Sequence, residues 1–560
     1  MNSLFGEWVS TLRKYWLLLV LSTVLPTFGL SYSASSAERI YGSYSAIERS
    51  VSVTALENFA TNGVADEELA AYTQFLKPEQ LQELRQTLVS PIKIHPVAVS
   101  QFLYTPQGEF LLKRLGEVIR TESRQPEPGF HALRAALILA ANEPGGLTLL
   151  NLVRKYPNPS IHVDLAGTLG MAAELEKMVN DSKRAVEAVS QKSAIEAASI
   201  APSFNLSGLP DIRRQGKFVV QSKPKPFNKI GGARGRERLL LSDVYLPKTR
   251  TKVPVIVISH GLGTDSSNFQ YLAEYLASHG FAVIVPNHPG SDTQQLRSLL
   301  NGSTKDLVQA DEFYNRPLDI KYILDRLEND PEFKNRLNLQ QVGVIGQSFG
   351  GYTALALAGA KINFEQLNKD CNPKRLQQTW NISLIFQCRA LELNGKKYGI
   401  NYNLRDERVK AAIAINPISS SIFGEAGLSE IKIPVMIVAG SNDTVAPALY
   451  EQIRPFSWIT NSQKYLVVLT GGTHFSAIGD SSNPSKQIPL PSNLLGENLR
   501  QARRYLSILS VPFLQTYVGG MSKYSPYLNA AYAKSISDQN MSLSLIESLT
   551  PNELARATAK

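Results

Sequence analysis

The residues best suited to chemistry lie in the segment QVGVIGQSFGG, residues 341–351. An apolar run with β-branched residues ends in a G-x-S-x-G pattern centred on Ser348, and a helix-forming stretch follows at once. A strand, a tight turn and a helix in this order form a nucleophile elbow, whose strained backbone exposes the serine hydroxyl. Glycine at Gly346 and Gly350 lets the strand and the helix pack closely. The pattern predicts a nucleophilic serine, and an ordinary glycine-rich loop is the alternative.

A histidine and an aspartate supply the other groups that such a serine needs. Only one of the seven histidines, His474, follows Ser348 in the chain, and it comes just after an apolar run. Asp443 also follows an apolar run, whereas Asp370 and Asp406 follow no convincing buried strand. Hydrolases with a nucleophile elbow carry serine, acid and histidine in this chain order. We therefore expect Asp443 to orient His474; a turn residue and a surface histidine are the alternatives.

An acyl-transfer site also needs backbone N–H groups that hold the oxyanion of the intermediate. The apolar run at 253–259 is typical of a buried parallel strand, and it leads into the segment HGLG, residues 260–263. We expect the N–H groups of Leu262 and Phe349 to be the oxyanion donors. We expect His260 to be structural because it precedes the acid in the chain, with a proton shuttle as the alternative.

Four segments of the chain carry a resemblance to a known family: HGLG, YLAEYLASHGFAVIVPNHPGSD, RPLDIKYILDRL and GQSFGG. Over residues 253–474 the chain resembles the platelet-activating-factor acetylhydrolase and dienelactone-hydrolase branch of the α/β-hydrolases. The resemblance implies the same triad and the same two oxyanion donors. That branch usually has histidine in place of Gln347, a position that we expect to affect substrate fit more than mechanism. Dienelactone hydrolases proper use a cysteine nucleophile, so that part of the likeness concerns the fold alone.

Length and composition limit the remaining possibilities. At 560 residues the chain is too long for one ordinary domain, and 43% hydrophobic residues support a large core. The net charge of +10 suits peripheral contact with an anionic membrane, and it is also ordinary for an exported protein. The sequence has no C-x-x-C metal pattern, no Gly-rich phosphate loop and no aromatic-basic module for nucleic acids. We expect no metal, no organic cofactor and no nucleic-acid partner.

The N-terminal residues have the order of a secretory signal. Two basic residues precede an apolar run at 15–30, and small residues follow it. We expect residues 1–37 to be a signal peptide that is cleaved after Ala37, or alternatively after Ala34. An uncleaved membrane anchor is the other interpretation. Export predicts a location in the periplasm, outside the cell or in a thylakoid lumen.

Residues 38–160 are predicted to form a small all-α domain. Leu81, Leu84 and Leu88 mark one apolar helical face of this region. The segments YTPQGEFLLKRLG and LRAALILAA resemble the uncharacterised domain that precedes hydrolases in a cyanobacterial family. That resemblance implies export and offers no chemistry. A stretch rich in Ala, Glu and Lys then predicts a long connecting helix in the linker, residues 161–205.

Strands and helices alternate over residues 206–520, which predicts an α/β-hydrolase fold with a mostly parallel, doubly wound sheet. An antiparallel pair at 217–221 and 238–245 is expected to open this domain. The basic link between these strands, residues 223–236, is predicted to be a solvated hairpin or a contact for an anionic membrane. Residues 521–560 are predicted to form a helical tail.

An insertion at residues 361–405 is predicted to be a cap that shapes the acyl pocket. The only two cysteines of the chain, Cys371 and Cys388, lie in this insertion. They could form a disulfide in an oxidising compartment, and two free thiols are the alternative. Three aromatic residues of the insertion could line the pocket or form the core of the cap: Trp380, Phe386 and Tyr398.

Together these observations predict an exported serine hydrolase that cleaves carboxylic esters through an acyl-enzyme. Apolar residues in the expected site loops, namely Leu262, Phe349 and Phe475, favour lipid-like or short aliphatic acyl groups. Two other functions stay open. One is a thioesterase or peptidase that uses the same triad, and the other is a non-catalytic binding protein with a hydrolase fold. The intact set of serine, aspartate and histidine argues against the second.

Overall fold

A computed structural model of the chain divides it into two compact units. Unit 1 contains Leu115–Ala166 and the described residues up to Pro96, and unit 2 contains Val97–Arg114 and Gly167–Lys560. Nearly all of the expected signal peptide, the end of the basic link and Tyr398 lie outside the described residues. The structure describes residues 36–74, 77–92, 94–121, 126–229, 237–394, 403–480 and 495–559.

Unit 1 contains a four-stranded sheet as well as helices, so the prediction of an all-α domain was wrong. The order of its strands is β2-β1-β4-β3, with β1 antiparallel to β2 and parallel to β4. These strands are too short for a clear alternating pattern. In addition, β1 and its partner β4 are separated by more than a hundred residues along the chain. The strands are β1 (Arg39–Tyr44), β2 (Ile47–Ser52), β3 (Ile119–Arg120) and β4 (Ser160–Asp164).

Helices pack beside this sheet around a small apolar core. The helical face predicted at Leu81, Leu84 and Leu88 is confirmed, because all three contact a cluster that includes the buried Phe59 and Leu69. Most of α4 and α5 belongs to unit 2. The helices before the linker are α1 (Val53–Asn62), α2 (Glu67–Thr73), α3 (Pro78–Val89), α4 (Pro96–Leu103), α5 (Pro106–Gly116), α6 (Pro126–Ala141) and α7 (Leu149–Arg154).

Unit 2 is built on a nine-stranded sheet in the part of the chain that the structure describes. Its strand order is β13-β12-β11-β10-β9-β7-β8-β6-β5, and the six strands from β12 to β8 in this order are parallel. The mostly parallel sheet predicted from the alternating pattern is therefore confirmed. The strands are β5 (Val220–Lys229), β6 (Arg238–Pro247), β7 (Val253–Ser259), β8 (Ala282–Pro286), β9 (Leu337–Gln347), β10 (Val409–Ile415), β11 (Val435–Gly440), β12 (Lys464–Leu469) and β13 (Leu543–Ile546).

Helices cover both faces of this sheet, so its central strands are buried on both sides. Along β11, Val435, Ile437 and Ala439 enter one apolar core, while Met436 and Val438 enter the core on the opposite face. The helices of unit 2 are α8 (Leu165–Ile200), α9 (Gln270–Ser278), α10 (Thr293–Leu300), α11 (Glu312–Glu328), α12 (Phe349–Ala358), α13 (Phe364–Asp370), α14 (Pro373–Leu376), α15 (Ile382–Cys388), α16 (Ser420–Leu428), α17 (Arg454–Trp458), α18 (Leu499–Tyr517), α19 (Ala530–Ile536) and α20 (Pro551–Thr558).

The end of the chain is not a purely helical tail as predicted, because β13 extends the sheet. It pairs antiparallel with β12, so its four residues find hydrogen-bond partners that only the folded sheet provides. The long helix α8 contributes as well, since the Ser193 hydroxyl accepts from the Leu545 N–H at 3.0 Å. None of the helices that the structure describes is both long and apolar enough to cross a membrane.

The basic link between β5 and β6 is strand rather than loop over much of its length. The predicted antiparallel pair is confirmed, but β5 continues to Lys229, which is eight residues beyond the expected end. Its three lysines are paired with carboxylates. The three pairs are Lys223 with Glu332, Lys225 with Asp330 at 2.7 Å, and Lys229 with Asp319 at 2.8 Å.

Candidate active site

Ser348 lies between β9 and α12, at the carboxyl edge of the parallel strands. Its φ of 56° and ψ of −116° are rare for a residue with a side chain, and such strain costs about 1–3 kcal/mol. The Ser348 N–H donates to the Ile415 carbonyl at 2.8 Å, which ties the turn to the neighbouring strand β10. The residue is 9% exposed. This is the geometry predicted for a nucleophile elbow.

The elbow needs glycine because backbone atoms fill the places of two missing side chains. A Cβ atom on Gly346 would lie 1.9 Å from the Gly350 carbonyl oxygen. A Cβ atom on Gly350 would lie 1.9 Å from the Ser259 carbonyl oxygen, at the end of β7. Strand β9, helix α12 and strand β7 can therefore approach one another only with glycine at both positions.

The structure brings Ser348, His474 and Asp443 into one chain of hydrogen bonds. The Nε2 atom of His474 lies 2.9 Å from the Ser348 hydroxyl, and its Nδ1 atom lies 2.7 Å from Oδ2 of Asp443. Asp443 follows β11, and His474 follows β12. Because parallel strands end at the same edge of a sheet, three residues far apart in the chain meet there.

Asp443 holds its own loop as well as the histidine. Its Oδ1 atom accepts the N–H groups of Val445 and Ala446, at 2.9 and 2.7 Å. The carboxylate therefore cannot turn away without losing these bonds, and Oδ2 stays directed at His474. The two other aspartates considered from the sequence have arginine partners instead: Asp370 pairs with Arg375, and Asp406 pairs with Arg408.

Two polar residues, Asn416 and Gln347, hold the backbone of the loop that carries His474. Asn416 donates to the Thr473 carbonyl at 3.0 Å, and its side-chain oxygen accepts the Gly440 N–H at 2.9 Å. Gln347 donates to the His474 carbonyl at 2.9 Å, so it helps to position the loop, and its expected effect on substrate fit stays a prediction. Asn416 was not predicted from the sequence, although one signal was present: this amide residue directly follows the apolar strand β10.

The segment HGLG runs directly beside the nucleophile. A Cβ atom built on Gly261 would lie 3.4 Å from the Cβ atom of Ser348 and 2.2 Å from Oε1 of Gln347, so a side chain here would collide with Gln347 unless that amide moved. On the other side of Ser348, Phe349 begins α12. The N–H groups in the first turn of a helix have no acceptor within that helix. The two segments expected to supply oxyanion donors thus flank Ser348.

His260 has a structural role in this loop, as expected. Its Nε2 atom accepts the His288 N–H at 3.0 Å, so its Nδ1 atom carries the proton that is donated to the Gly261 carbonyl at 2.7 Å. Burial, aided by the charge of Arg316, lowers the pKa of His260 well below its ordinary value. The ring is completely buried and neutral, and both of its nitrogens are occupied.

A second serine, histidine and aspartate lie together beneath the loop. The Ser259 hydroxyl is 2.9 Å from Nε2 of His288, and Nδ1 of His288 is 3.9 Å from Asp319. All three side chains are completely buried, so no substrate can reach this serine. Burial and the charge of Arg316 lower the pKa of His288 to about 4. We interpret this set as a structural cluster under the sheet edge.

The insertion at 361–405 places an aromatic ring beside the elbow. Phe386, in α15, packs edge-on against Phe349 and also contacts Phe313, with ring centres 4.9 and 5.3 Å apart. Trp380 instead contacts Arg114: the central carbon of the guanidinium lies over the Trp380 ring, 4.9 Å from the centre of that ring. Of the three aromatic residues considered for the pocket, only Phe386 is therefore shown next to the site.

The insertion is fastened in two ways. Cys371 and Cys388 are joined by a disulfide that links the end of α13 to the end of α15. A completely buried carboxylate, Glu451, accepts Asn381 at 2.7 Å and Gln387 at 3.1 Å, both from the insertion. The same carboxylate accepts the backbone N–H groups of Ser419 and Ser420, where the loop after β10 meets α16. The insertion is thus bonded to the loop that follows a central strand.

Comparison with known proteins gives matches in both parts of the chain. A family model described as "Alpha/beta hydrolase of unknown function (DUF1400)" matches residues 36–164. A second model, described as "alpha/beta hydrolase fold", matches residues 254–375, the part of unit 2 that holds HGLG and the elbow.

Three curated proteins illustrate the likeness. The chain is 23% identical to "Cutinase 2" of Thermobifida cellulosilytica over 320 residues, which are 56% of this chain and 85% of that protein. It is 24% identical to "Chlorophyllase type 0" of Chenopodium album over 165 residues, 29% and 43% of the two chains. It is 31% identical to "Platelet-activating factor acetylhydrolase" of Canis lupus familiaris over 146 residues, 19% and 32% of the two chains. The sheet, its helices and these matches together show that the chain has the α/β-hydrolase fold.

Proposed function

We propose that the chain is an exported serine hydrolase that cleaves carboxylic esters through an acyl-enzyme. One observation carries the proposal: a strained Ser348 is bonded to His474, which is bonded to Asp443. A serine hydroxyl is a weak nucleophile unless a neighbouring base takes its proton. Here the base is within reach, and the base is oriented by a carboxylate.

In the first half of the reaction, the Ser348 oxygen attacks the ester carbonyl while Nε2 of His474 takes the hydroxyl proton. Asp443 keeps the other ring nitrogen protonated and stabilises the imidazolium. The N–H groups of Leu262 and Phe349 bind the negative oxygen of the tetrahedral intermediate. The intermediate then collapses, and the alcohol leaves with the proton that His474 returns.

The second half releases the acid and restores the serine. A water molecule attacks the acyl-enzyme carbonyl while His474 takes one of its protons. The same two N–H groups hold the second oxyanion. When this intermediate collapses, the Ser348 oxygen leaves and recovers its proton from His474, so that the acid is freed and the enzyme is unchanged.

Two observations support an ester with an aliphatic acyl group as the substrate. The relatives carry the names cutinase, chlorophyllase and acetylhydrolase. The rings of Phe349, Phe313 and Phe386 make the surroundings of the elbow apolar, which suits a lipid-like or short acyl chain. Export is supported by the charged, apolar and small-residue order of residues 1–37.

The test is hydrolysis of p-nitrophenyl esters of increasing acyl length by the chain from Glu38 onward, next to Ser348→Ala. We expect turnover that the variant lacks, and labelling of Ser348 by a fluorophosphonate. Ser303→Ala, at an exposed serine, is the matched control and should keep full activity. A folded wild-type chain with no turnover and no labelling would contradict the proposal. Faster cleavage of thioesters or amides in the same assay would favour a thioesterase or peptidase.

A further inference from the structure

We propose that Arg316 is a positioning residue that holds the HGLG backbone so that the Leu262 N–H is directed at the oxyanion. The inference rests on the proposed ester hydrolysis and adds to it a residue that acts through the backbone and never contacts the substrate. Arg316 lies in the first turns of α11 and is completely buried.

The guanidinium of Arg316 bonds to the loop at two successive carbonyls. Its Nη1 atom donates to the His260 carbonyl at 2.6 Å, and its Nη2 atom donates to the Gly261 carbonyl at 3.3 Å. The remaining donors reach Ser291, at its hydroxyl (2.9 Å) and its carbonyl (3.4 Å). The Ser291 carbonyl in turn accepts the Gly263 N–H at 2.9 Å. One side chain therefore fixes the loop at both ends.

Because the peptide is planar, this anchoring also sets the direction of the Leu262 N–H, the expected oxyanion donor. The Gly261 carbonyl and the Leu262 N–H belong to one planar trans peptide, so they point in opposite directions. That carbonyl accepts three donors: His260 at 2.7 Å, Thr264 at 3.1 Å and Arg316. Holding the oxygen in this way fixes the direction of the N–H. It also polarises the peptide, which makes the N–H a stronger donor.

The same guanidinium contacts the residue that bears the second donor. Its central carbon lies 4.4 Å from the centre of the Phe349 ring, on the face of that ring. Arg316 thus bonds to the peptide of one expected donor and stacks on the side chain of the other.

The charge of Arg316 is not used in a direct ion pair within the described residues. The neighbouring carboxylates, Glu312 and Asp319, are instead bonded by Arg238 at 2.7 Å each. Burial lowers the pKa of Arg316 to about 9, so the group is still a cation at neutral pH. A buried cation whose donors all go to neutral oxygens is costly for stability. In this position its charge also favours an oxyanion.

The experiment compares Arg316→Gln and Arg316→Lys with the wild-type chain, using p-nitrophenyl butyrate and an alkylboronic acid. The boronate forms a tetrahedral adduct on Ser348 and so reports on oxyanion binding. We expect Arg316→Gln to lower kcat about 100-fold, the scale of a lost oxyanion donor, and to weaken boronate inhibition similarly. KM should stay within about threefold because ground-state binding is little affected. Arg316→Lys should keep only part of the wild-type kcat and boronate inhibition, since an ammonium group cannot bond to both carbonyls.

Arg238→Gln is the matched control. It removes a buried cation from the same cluster but has no bond to the loop, so it should lower Tm and leave kcat and boronate inhibition nearly unchanged. Equal kcat and equal boronate inhibition in Arg316→Gln and wild type would overturn the inference and leave the proposed function standing. If Arg316→Gln does not fold, Thr264→Val replaces it, because it removes another donor to the Gly261 carbonyl. Unchanged kcat and unchanged boronate inhibition in Thr264→Val would then overturn the inference. A lower kcat at constant KM would support it. A wild-type chain with no turnover and no fluorophosphonate labelling would contradict both the inference and the proposed function.

Discussion

The Asp443 carboxylate divides its two oxygens between a histidine ring and its own loop. Oδ2 accepts from His474, and Oδ1 accepts from Val445 and Ala446. An amide at this position could keep the loop bonds through its oxygen. It would then present an NH₂ group to His474 and favour the imidazole tautomer that cannot take the serine proton.

We therefore expect Asp443→Asn to lower kcat by about 10⁴-fold with little change in the free energy of unfolding. Steady-state kinetics and urea unfolding measure the two quantities. The control is Asp406→Asn, because Asp406 bonds to Arg408 and has no contact with His474. An Asp443→Asn variant that keeps more than about a tenth of wild-type kcat would argue against the assigned role.

At the scale of elements, the site depends on how closely two strands and one helix approach each other. Helix α12 can begin directly at Ser348 only because Gly350 has no side chain to meet the end of β7. The glycine at this position is therefore required by packing between elements, and not by its own backbone angles. The strain at Ser348 is maintained by the same close packing.

Gly350→Ala should consequently destabilise unit 2 by more than about 3 kcal/mol, since the new Cβ would overlap a backbone oxygen that cannot move alone. Thermal unfolding and soluble yield measure the effect. Gly170→Ala is the control, at an exposed position of helix α8 with nothing within 4 Å of the new atom, and it should stabilise the chain by about 0.5–1 kcal/mol. Equal stability of Gly350→Ala and wild type would show that the elbow is packed differently.

At the scale of the whole molecule, a set of buried ionisable groups lies beneath the edge of the sheet that bears Ser348. His288 faces Ser259 and Asp319, and Arg316 and Arg238 are the nearby cations. Burial alone would raise the pKa of Asp319, but His288 and the cations lower it to about 2. The folded chain thus keeps the histidine neutral and the carboxylate charged.

This arrangement predicts a loss of stability in mild acid. The pKa of His288 is about 4 in the folded chain and about 6.5 when unfolded. Below pH 6.5 the unfolded chain binds a proton that the folded chain does not, so the free energy of unfolding falls as the pH falls. Between pH 7 and pH 5 His288 alone should account for about 2 kcal/mol.

Urea unfolding at pH 7 and pH 5 tests this for wild type and for His288→Gln, which cannot titrate. The variant should lose less stability than wild type between the two pH values, whatever its stability at pH 7. His260 titrates in the same direction, so some pH dependence should remain in the variant. An identical loss in both chains would contradict the prediction.

The sequence by itself was enough to predict the parallel sheet and the positions of Ser348, Asp443 and His474 after its strands. These features are readable because each depends on a local pattern: an apolar run, a glycine spacing or a residue at the end of a strand. Chain order then indicated which residues belong together, because parallel strands end at one edge.

The tertiary structure alone decided the contacts that hold the site in place. Asn416, Gln347 and Arg316 donate hydrogen bonds to backbone carbonyls of distant loops. Every residue has a backbone carbonyl, so the sequence does not indicate which one accepts such a bond. The strands β1, β4 and β13 were missed for a related reason. Each is too short to show a period, and each is stabilised by a partner strand far away in the chain. Local patterns therefore determined which residues could do chemistry, and long-range pairing determined how they are held.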